Sequence, residues 1–302
     1  MKTIAVISGG GSYGAYHAGT LAALNLKFDA VYGTSTGAMM APLVALGKYV
    51  SLETAYTSLG QYNVFNSWAT NPVKPNGKIS IAKAITRIAS GKNSLGATDK
   101  ALKKTIREFY TKDMHDELFN KKDVIVNTVD LRKQQASKVE YFNAKDTPYE
   151  LFTEYMRASA SFPGIMSPVY LQEKELVDGG LAETASVLKA MENKPTIMHL
   201  FLHHKRVDSD APKKEKTKNF LHMLMRILNT FMDEVKQNDL DQKMIKNAAK
   251  MNGVEEIHFH YMKEEFTNKL VFDKAEMRDM WQKGYANAHD PSCNFKLTKQ
   301  DF

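Results

Sequence analysis

Residues 28–37, FDAVYGTSTG, carry the strongest fold signal in this chain. The apolar run at 28–32 predicts a short buried strand, and AMMAPLVALGKYV at 38–50 is apolar on nearly every side, which predicts a buried helix. Between them lies a G-x-S-x-G turn, in which a sharp bend from strand to helix lifts the serine hydroxyl clear of the sheet. Glycine is needed at Gly33 and Gly37 because side chains there would collide with backbone. Ser35 is therefore a candidate nucleophile, with a purely structural turn as the alternative.

A glycine-rich loop precedes this turn. Residues 3–8 (TIAVIS) predict a first strand, and the loop Gly9-Gly10-Gly11-Ser12-Tyr13-Gly14 separates it from apolar residues at helical spacing. If the first two strands are neighbours, the loop and Ser35 emerge at the same edge of the sheet. The backbone N–H groups of Gly9, Gly10 and Gly11 could then form an oxyanion hole. The alternative is a loop that only lets the helix pack closely on the strand.

The same loop also fits G-x-G-x-x-G, the pattern of a dinucleotide-binding turn. Such a turn requires an acidic residue at the end of the second strand to bind the ribose. That strand ends at Tyr32-Gly33, and its one acid, Asp29, lies near its start. A nucleotide-binding oxidoreductase that uses the loop from Gly9 to Gly14 is therefore the weaker hypothesis.

A serine nucleophile needs a group that takes its proton, and that group is usually histidine. None of the nine histidines has a sequence setting that marks it as the base. In contrast, LVDGG at 176–180 places a carboxylate at the end of an apolar strand, where α/β sheets form their sites. Asp178 is therefore the candidate base, although Asp-Gly is also a common structural turn.

Strand and helix patterns alternate along the chain, which predicts a parallel sheet covered by helices on both faces. Beyond the first two strands, the apolar runs that predict strands lie at 121–131, 139–143, 175–177, 196–203 and 256–261. The charge-dense stretch 204–218 is the predicted boundary between a catalytic core at 1–205 and a C-terminal part at 206–302. We expect that C-terminal part, with helices and a late strand, to pack onto the same domain.

Composition and charge limit the class of protein. The single cysteine, Cys293, cannot form an intramolecular disulfide, and MKTIAVISGGG reaches glycines before a signal-peptide core could form. No run approaches the length of a membrane span, so we expect a cytoplasmic protein whose membrane contact is peripheral. The net charge of +7 favours anionic surfaces without choosing between lipid headgroups and nucleic acid. No cluster has metal-ligand spacing, so neither metal nor cofactor is expected.

Together, the glycine loop, the Ser35 turn and Asp178 resemble the bacterial branch of the patatin-like phospholipase family. In that family a Ser-Asp dyad works without histidine. Local similarity extends to TVDL at 128–131, RASASFPG at 157–164 and KGY at 283–285, so the resemblance covers residues 1–205 well and the remainder loosely. The chain departs from the family pattern at three positions. Tyr13 replaces Arg or Lys, and Thr184 and Ser186 replace the Asn and Pro that usually follow D-G-G.

The resemblance implies a three-layer α/β/α sandwich with a central, mostly parallel sheet. It also implies a phospholipase or lipid acylhydrolase that acts on phospholipids or other lipid esters at a membrane surface, with no nucleic acid partner. Ser35 would attack the ester, Asp178 would act as its base, and Gly9, Gly10 and Gly11 would supply the oxyanion hole. The glycines that support the turns would be Gly14, Gly33, Gly37, Gly179 and Gly180.

Two further alternatives remain open at this stage. An α/β-hydrolase with a Ser-Asp-His triad would need a late histidine, with His199, His203 and His204 as the nearest candidates. A catalytically silent lipid-binding member of the family would tolerate the departures at Tyr13, Thr184 and Ser186. Acyl-chain preference, headgroup and oligomeric state do not follow from the sequence.

Overall fold

A computed structural model describes residues 1–65, 100–133, 139–205, 240–264 and 271–302, and the single residues Ser80, Ala82, Lys83, Thr86, Val235, Phe266 and Lys269. Two features of the sequence fall outside these residues: the lysine-rich segment at 213–218 and, apart from Val235, a Met-rich helix predicted at 220–235. The sequence offers the hypothesis that both segments help dock an anionic lipid surface, with packing of the helix on the sheet as the alternative.

The described elements alternate between strand and helix along most of the chain. The strands are β1 Thr3–Ile7, β2 Ala30–Gly33, β3 Asp123–Asp130, β4 Val139–Asn143, β5 Val169–Leu171, β6 Lys174–Asp178, β7 Ile197–Lys205, β8 Glu256–Met262 and β9 Asn294–Thr298. The helices are α1 Gly14–Leu24, α2 Thr36–Ala45, α3 Tyr49–Ser58, α4 Gln61–Val64, α5 Lys100–Phe109, α6 Lys112–Leu118, α7 Tyr149–Ser159, α8 Val187–Met191, α9 Gln242–Asn252 and α10 Lys274–Ala286.

All nine described strands belong to one mixed sheet. Its centre is parallel, in the order β3-β2-β1-β7-β8. Antiparallel strands complete both sides: β4 and β6 pair with β3, β5 pairs with β6, and β9 pairs with β8. Sequence patterns predicted the parallel centre but not β5 and β9, which are short and only partly buried. The residues after 205 thus add β8 and β9 to the sheet, while the division into two parts stays a prediction.

The sheet buries both of its faces, because successive side chains of a strand point to opposite sides. In β1, Ala5 and Ile7 join one apolar cluster, with α1, α2, α3 and α7. Ile4 and Val6 join the other cluster, with α8 and α9. Helices therefore cover the sheet on both sides, and the expected three-layer α/β/α sandwich is confirmed.

Helices α1 and α10 cross with their backbones in close contact. A Cβ atom at Gly284 would lie 1.8 Å from the carbonyl oxygen of Tyr16, and one at Gly19 would lie 2.0 Å from that of Trp281. The Thr20 hydroxyl bridges the helices by donating to the carbonyl oxygen of Gly284 at 3.1 Å. The glycine in the KGY segment therefore has a physical explanation, since any side chain there would separate the helices.

We expect Gly284→Ala to lower the free energy of unfolding by about 3 kcal/mol or more, because the new methyl group meets backbone that cannot yield. Chemical denaturation monitored by circular dichroism measures the change. Gly60→Ala is the matched control. Its Cβ would meet no atom closer than 3.5 Å, so its effect should stay within about 1 kcal/mol. Equal stability of the two variants would contradict this account of the helix crossing.

Candidate active site

Strand β3 brings the candidate nucleophile and the candidate base together. Gly33, at the end of β2, pairs with Val126, and Asp178, at the end of β6, pairs with Thr128. Strands β2 and β6 lie on the same side of β3, since β4 occupies the other side of β3 along this stretch. Because β2 runs parallel to β3 and β6 runs antiparallel to it, their carboxyl ends point toward each other. Residues 143 positions apart in the chain therefore meet.

The turn after β2 has the geometry expected for G-x-S-x-G. Ser35 adopts φ 54° and ψ −118°, a backbone conformation that residues with a side chain rarely adopt. A Cβ atom at Gly33 would lie 2.4 Å from the carbonyl oxygen of Gly37, and one at Gly37 would lie 2.1 Å from that of Ile7. The two glycines thus allow the turn to close, and α2 begins directly after Ser35.

The structure places Ser35 in direct contact with Asp178. The serine Oγ donates a hydrogen bond to Asp178 Oδ2 at 2.7 Å, while Asp178 Oδ1 accepts one from the backbone N–H of Gly180 at 2.8 Å. A Cβ atom at Gly179 would lie 2.5 Å from Asn127 Oδ1, so the turn after the aspartate also requires glycine. Each carboxylate oxygen therefore has a defined partner, and one of them faces the candidate nucleophile.

Burial controls the acidity of Asp178. Its side chain is 2% exposed, and this desolvation raises its pKa to about 7 against the opposing hydrogen bonds from Ser35 and Gly180. Among the described residues, no cation contributes to this shift of the pKa. Burial disfavours the charged carboxylate, and this makes the group a stronger base than an exposed aspartate. A carboxyl group with a pKa near neutrality can accept a proton and release it again during one turnover.

The three glycines of the predicted oxyanion hole differ in structure. The N–H of Gly9 already donates to the carbonyl oxygen of Thr184 at 3.0 Å, so we retain only Gly10 and Gly11 as candidate donors. Within the described part of the chain, neither of these two amides has an acceptor. Gly9 instead allows the loop to lie close to Ser35, since a Cβ atom at position 9 would be 3.1 Å from the Cβ of Ser35. The loop therefore lies directly beside the nucleophile.

Two serines of the RASASFPG segment hold the site, a role that sequence reasoning missed. The Ser159 hydroxyl oxygen accepts a hydrogen bond from the backbone N–H of Ser35 at 2.9 Å. The carbonyl oxygen of Ser161 accepts one from the backbone N–H of Asp178 at 3.1 Å. In the sequence, this segment stands out only through the family resemblance. That similarity was the available signal, but nothing in it connected this helix end with Ser35.

The departures from the family pattern are accommodated within the fold. The Tyr13 hydroxyl donates to the carbonyl oxygen of Phe266, and Lys269 Nζ lies 5.9 Å from the centre of the Tyr13 ring. Thr184 contributes the carbonyl oxygen that accepts the Gly9 amide, and the Ser186 hydroxyl donates to Glu183 at 3.0 Å. The turn behind Asp178 therefore forms with Thr and Ser in place of Asn and Pro.

The candidate triad histidines lie elsewhere. His203 Nδ1 lies 3.1 Å from the Ser8 hydroxyl, His199 Nδ1 lies 3.0 Å from His260 Nε2, and His204 Nδ1 lies 2.8 Å from a backbone carbonyl. Burial lowers the pKa of His199 to about 3 and that of His203 well below its ordinary value. Among the residues that the structure describes, no histidine forms a hydrogen bond with Ser35 or Asp178.

Two kinds of feature are absent from the described residues. They contain no group of three or more His, Cys, Asp or Glu side chains placed to hold a metal ion. No helix among them is long and apolar enough to cross a membrane.

A serine at a strand-to-helix turn, with a buried carboxylate in contact and two amides nearby that bond no acceptor among the described residues, is the kind of site that α/β serine hydrolases use. Comparison with known proteins identifies the family. Residues 5–191 match the family described as patatin-like phospholipase, and the chain belongs to that family. The match includes both Ser35 and Asp178.

Two yeast proteins are similar in sequence. Triacylglycerol lipase 5 of Saccharomyces cerevisiae is 27% identical over 187 residues, which span 60% of this chain and 24% of the yeast protein. Triacylglycerol lipase 4 of the same organism is 26% identical over 179 residues, spanning 58% of this chain and 19% of its own length. The chain therefore matches only a quarter or less of each relative. Among solved structures, VipD from Legionella pneumophila aligns with 98% of this chain and 68% of its own, at 12% identity and a TM-score of 0.46.

Proposed function

We propose that this protein hydrolyses fatty acyl esters of lipids through a Ser35-Asp178 dyad and an acyl-enzyme. The observation that supports this most is the 2.7 Å hydrogen bond from the serine hydroxyl to a buried carboxylate. Membership of the patatin-like phospholipase family supports lipid acyl hydrolysis in general terms. The dyad, the acyl-enzyme and a phospholipase A type of specificity are the parts that we add.

In the proposed acylation, Ser35 Oγ attacks the ester carbonyl carbon while its proton passes to Asp178. The amides of Gly10 and Gly11, together with the positive end of α2, stabilise the negative charge on the tetrahedral oxygen. The intermediate collapses, the bond to the alcohol breaks, and the alcohol leaves with the proton that Asp178 held. In deacylation Asp178 takes a proton from water, the hydroxide attacks the acyl-enzyme, and the fatty acid leaves as Ser35 recovers its proton.

The substrate in this proposal is a glycerolipid ester, either a phospholipid or a neutral lipid. The family description favours the first, and the names of the yeast relatives favour the second. Both kinds of lipid are presented at an interface, so we include a peripheral contact with a membrane or droplet surface. Residues 1–205 hold every proposed catalytic group and form the catalytic core in this proposal.

The proposal is tested by incubating the purified chain with phosphatidylcholine, phosphatidylglycerol and triacylglycerol dispersions and measuring the fatty acid released. We expect release from at least one of the three. A protein that binds these dispersions but releases no fatty acid, and that no fluorophosphonate labels, would be a silent lipid-binding member of the family. That pair of results would overturn the proposed function.

The pH dependence of hydrolysis provides a sharper test. Asp178 must be ionised to act as a base, and burial raises its pKa to about 7. We therefore expect kcat/KM to fall about tenfold per pH unit below that pKa and to level off above it. The measurement is a pH profile with a soluble short-chain ester, which avoids effects of pH on a lipid surface. A midpoint near 4, the value of an ordinary aspartate, would contradict the proposed role of burial.

A further inference from the structure

The backbone amide of the candidate nucleophile is held by one side chain. Ser35 precedes the first turn of α2, so its N–H makes no hydrogen bond within that helix. Its acceptor is Ser159 Oγ, at 2.9 Å. Ser159 is fully buried at the end of α7, with no exposed surface. A single buried hydroxyl therefore accepts the backbone N–H of the candidate nucleophile.

This amide belongs to a residue in a rare backbone conformation. Ser35 has a φ of 54°, and such conformations persist only where the surrounding structure holds them. Gly33 and Gly37 give the turn room to form, but they contribute no side chain that could hold it. Among the described contacts, the hydrogen bond that the Ser35 N–H donates to Ser159 Oγ is the side-chain contact that restrains the Ser35 backbone.

Helix α7 is a suitable support because it also contacts the other half of the dyad. It packs against β3 and β6, the two strands that place Asp178. Just beyond the helix, the carbonyl oxygen of Ser161 accepts the Asp178 amide at 3.1 Å. The backbone amides of Ser35 and Asp178 thus bond Ser159 and Ser161, which are only two residues apart in the chain.

We propose that Ser159 is a positioning residue for the nucleophile. By accepting the Ser35 amide, it keeps Ser35 Oγ at hydrogen-bonding distance from Asp178 and prevents that amide from competing for the carboxylate. The inference rests on the proposed Ser-Asp mechanism and adds to it a residue that does not touch the substrate.

The test compares Ser159→Ala with the wild type in kcat, in KM and in the rate constant of fluorophosphonate labelling per folded molecule. We expect kcat and the labelling rate to fall together by about 10- to 100-fold, because a misplacement of the nucleophile of about 1 Å has an effect of that size. KM should change by less than about threefold, since Ser159 binds no substrate in this scheme. Ser159→Cys keeps a weak acceptor of similar size and should lie between the two.

Thr153→Val is the matched control. Thr153 lies in the same helix and is 2% exposed, and in the described part of the chain its hydroxyl donates to the Glu150 carbonyl at 3.0 Å. Valine removes that hydroxyl while keeping the shape, so labelling and kcat should stay at the wild-type level even if stability drops.

The outcomes separate this inference from the proposed function. Absence of Ser35 labelling in the wild type would overturn both. Wild-type labelling at Ser35, with an unchanged rate in Ser159→Ala, would leave the proposed function standing and overturn the role of Ser159. If Ser159→Ala does not fold, Ser159→Cys decides the question, and a wild-type kcat in that variant overturns the inference.

Discussion

Replacing Ser35 with alanine is expected to abolish fluorophosphonate labelling and to reduce lipid-ester hydrolysis by at least about 10³-fold. The substitution removes one oxygen atom, which is both the proposed attacking group and the hydrogen-bond donor to Asp178. Loss of that hydrogen bond also removes an interaction that lowers the pKa of Asp178, so the carboxyl group should become harder to ionise. Labelling followed by peptide mapping measures the loss of the reactive nucleophile, and fatty acid release measures the loss of hydrolysis.

The Ser35→Ala variant should keep its fold, because the backbone N–H at position 35 can still donate to Ser159 Oγ. Ser58→Ala is a suitable control, since the described hydrogen bond of the Ser58 hydroxyl stays within its own helix, to the Ala55 carbonyl at 3.4 Å. The control should be labelled like the wild type. Labelling of a residue other than Ser35 in the wild type, or full hydrolysis by Ser35→Ala, would remove the central claim of the proposed mechanism.

The parts of the fold and site that were predictable from sequence are those with strong local signals. Gly33 and Gly37 around Ser35 mark a turn that only one local geometry satisfies, and the run before Asp178 marks the end of a strand. Alternating strand and helix patterns then give the layered architecture. Such signals involve neighbouring residues, so they can be read without knowledge of long-range contacts.

What the sequence could not give depends on contacts between distant segments. The Gly9 amide is taken by Thr184, 175 positions away in the numbering of the chain, so loop composition alone made it look available. The Ser159 contact with Ser35 likewise depends on how α7 packs beside the sheet. In each case tertiary pairing, rather than local pattern, determines the outcome.

The second large effect is expected at Asp178. Asp178→Asn should reduce turnover by about 10³-fold or more, because an amide cannot accept the serine proton and the step is lost from both acylation and deacylation. Asparagine keeps the shape of the side chain and an oxygen that can accept the Gly180 amide, so the turn should remain folded. Acyl-enzyme formation and acyl-enzyme hydrolysis should both become slower, and single-turnover kinetics measures the rate of each step.

Alanine substitutions at His199, His203 and His204 distinguish the dyad from a Ser-Asp-His triad. In a triad the aspartate only orients a histidine, and removal of that histidine would cost at least as much as removal of the acid. Here Asp178 bonds Ser35 directly, while the three histidines bond partners outside the dyad. We therefore expect each histidine variant to keep most of its turnover. His199 and His203 are buried, so circular dichroism must first show that their variants are folded. One folded histidine variant as inactive as Asp178→Asn would replace the dyad with a triad.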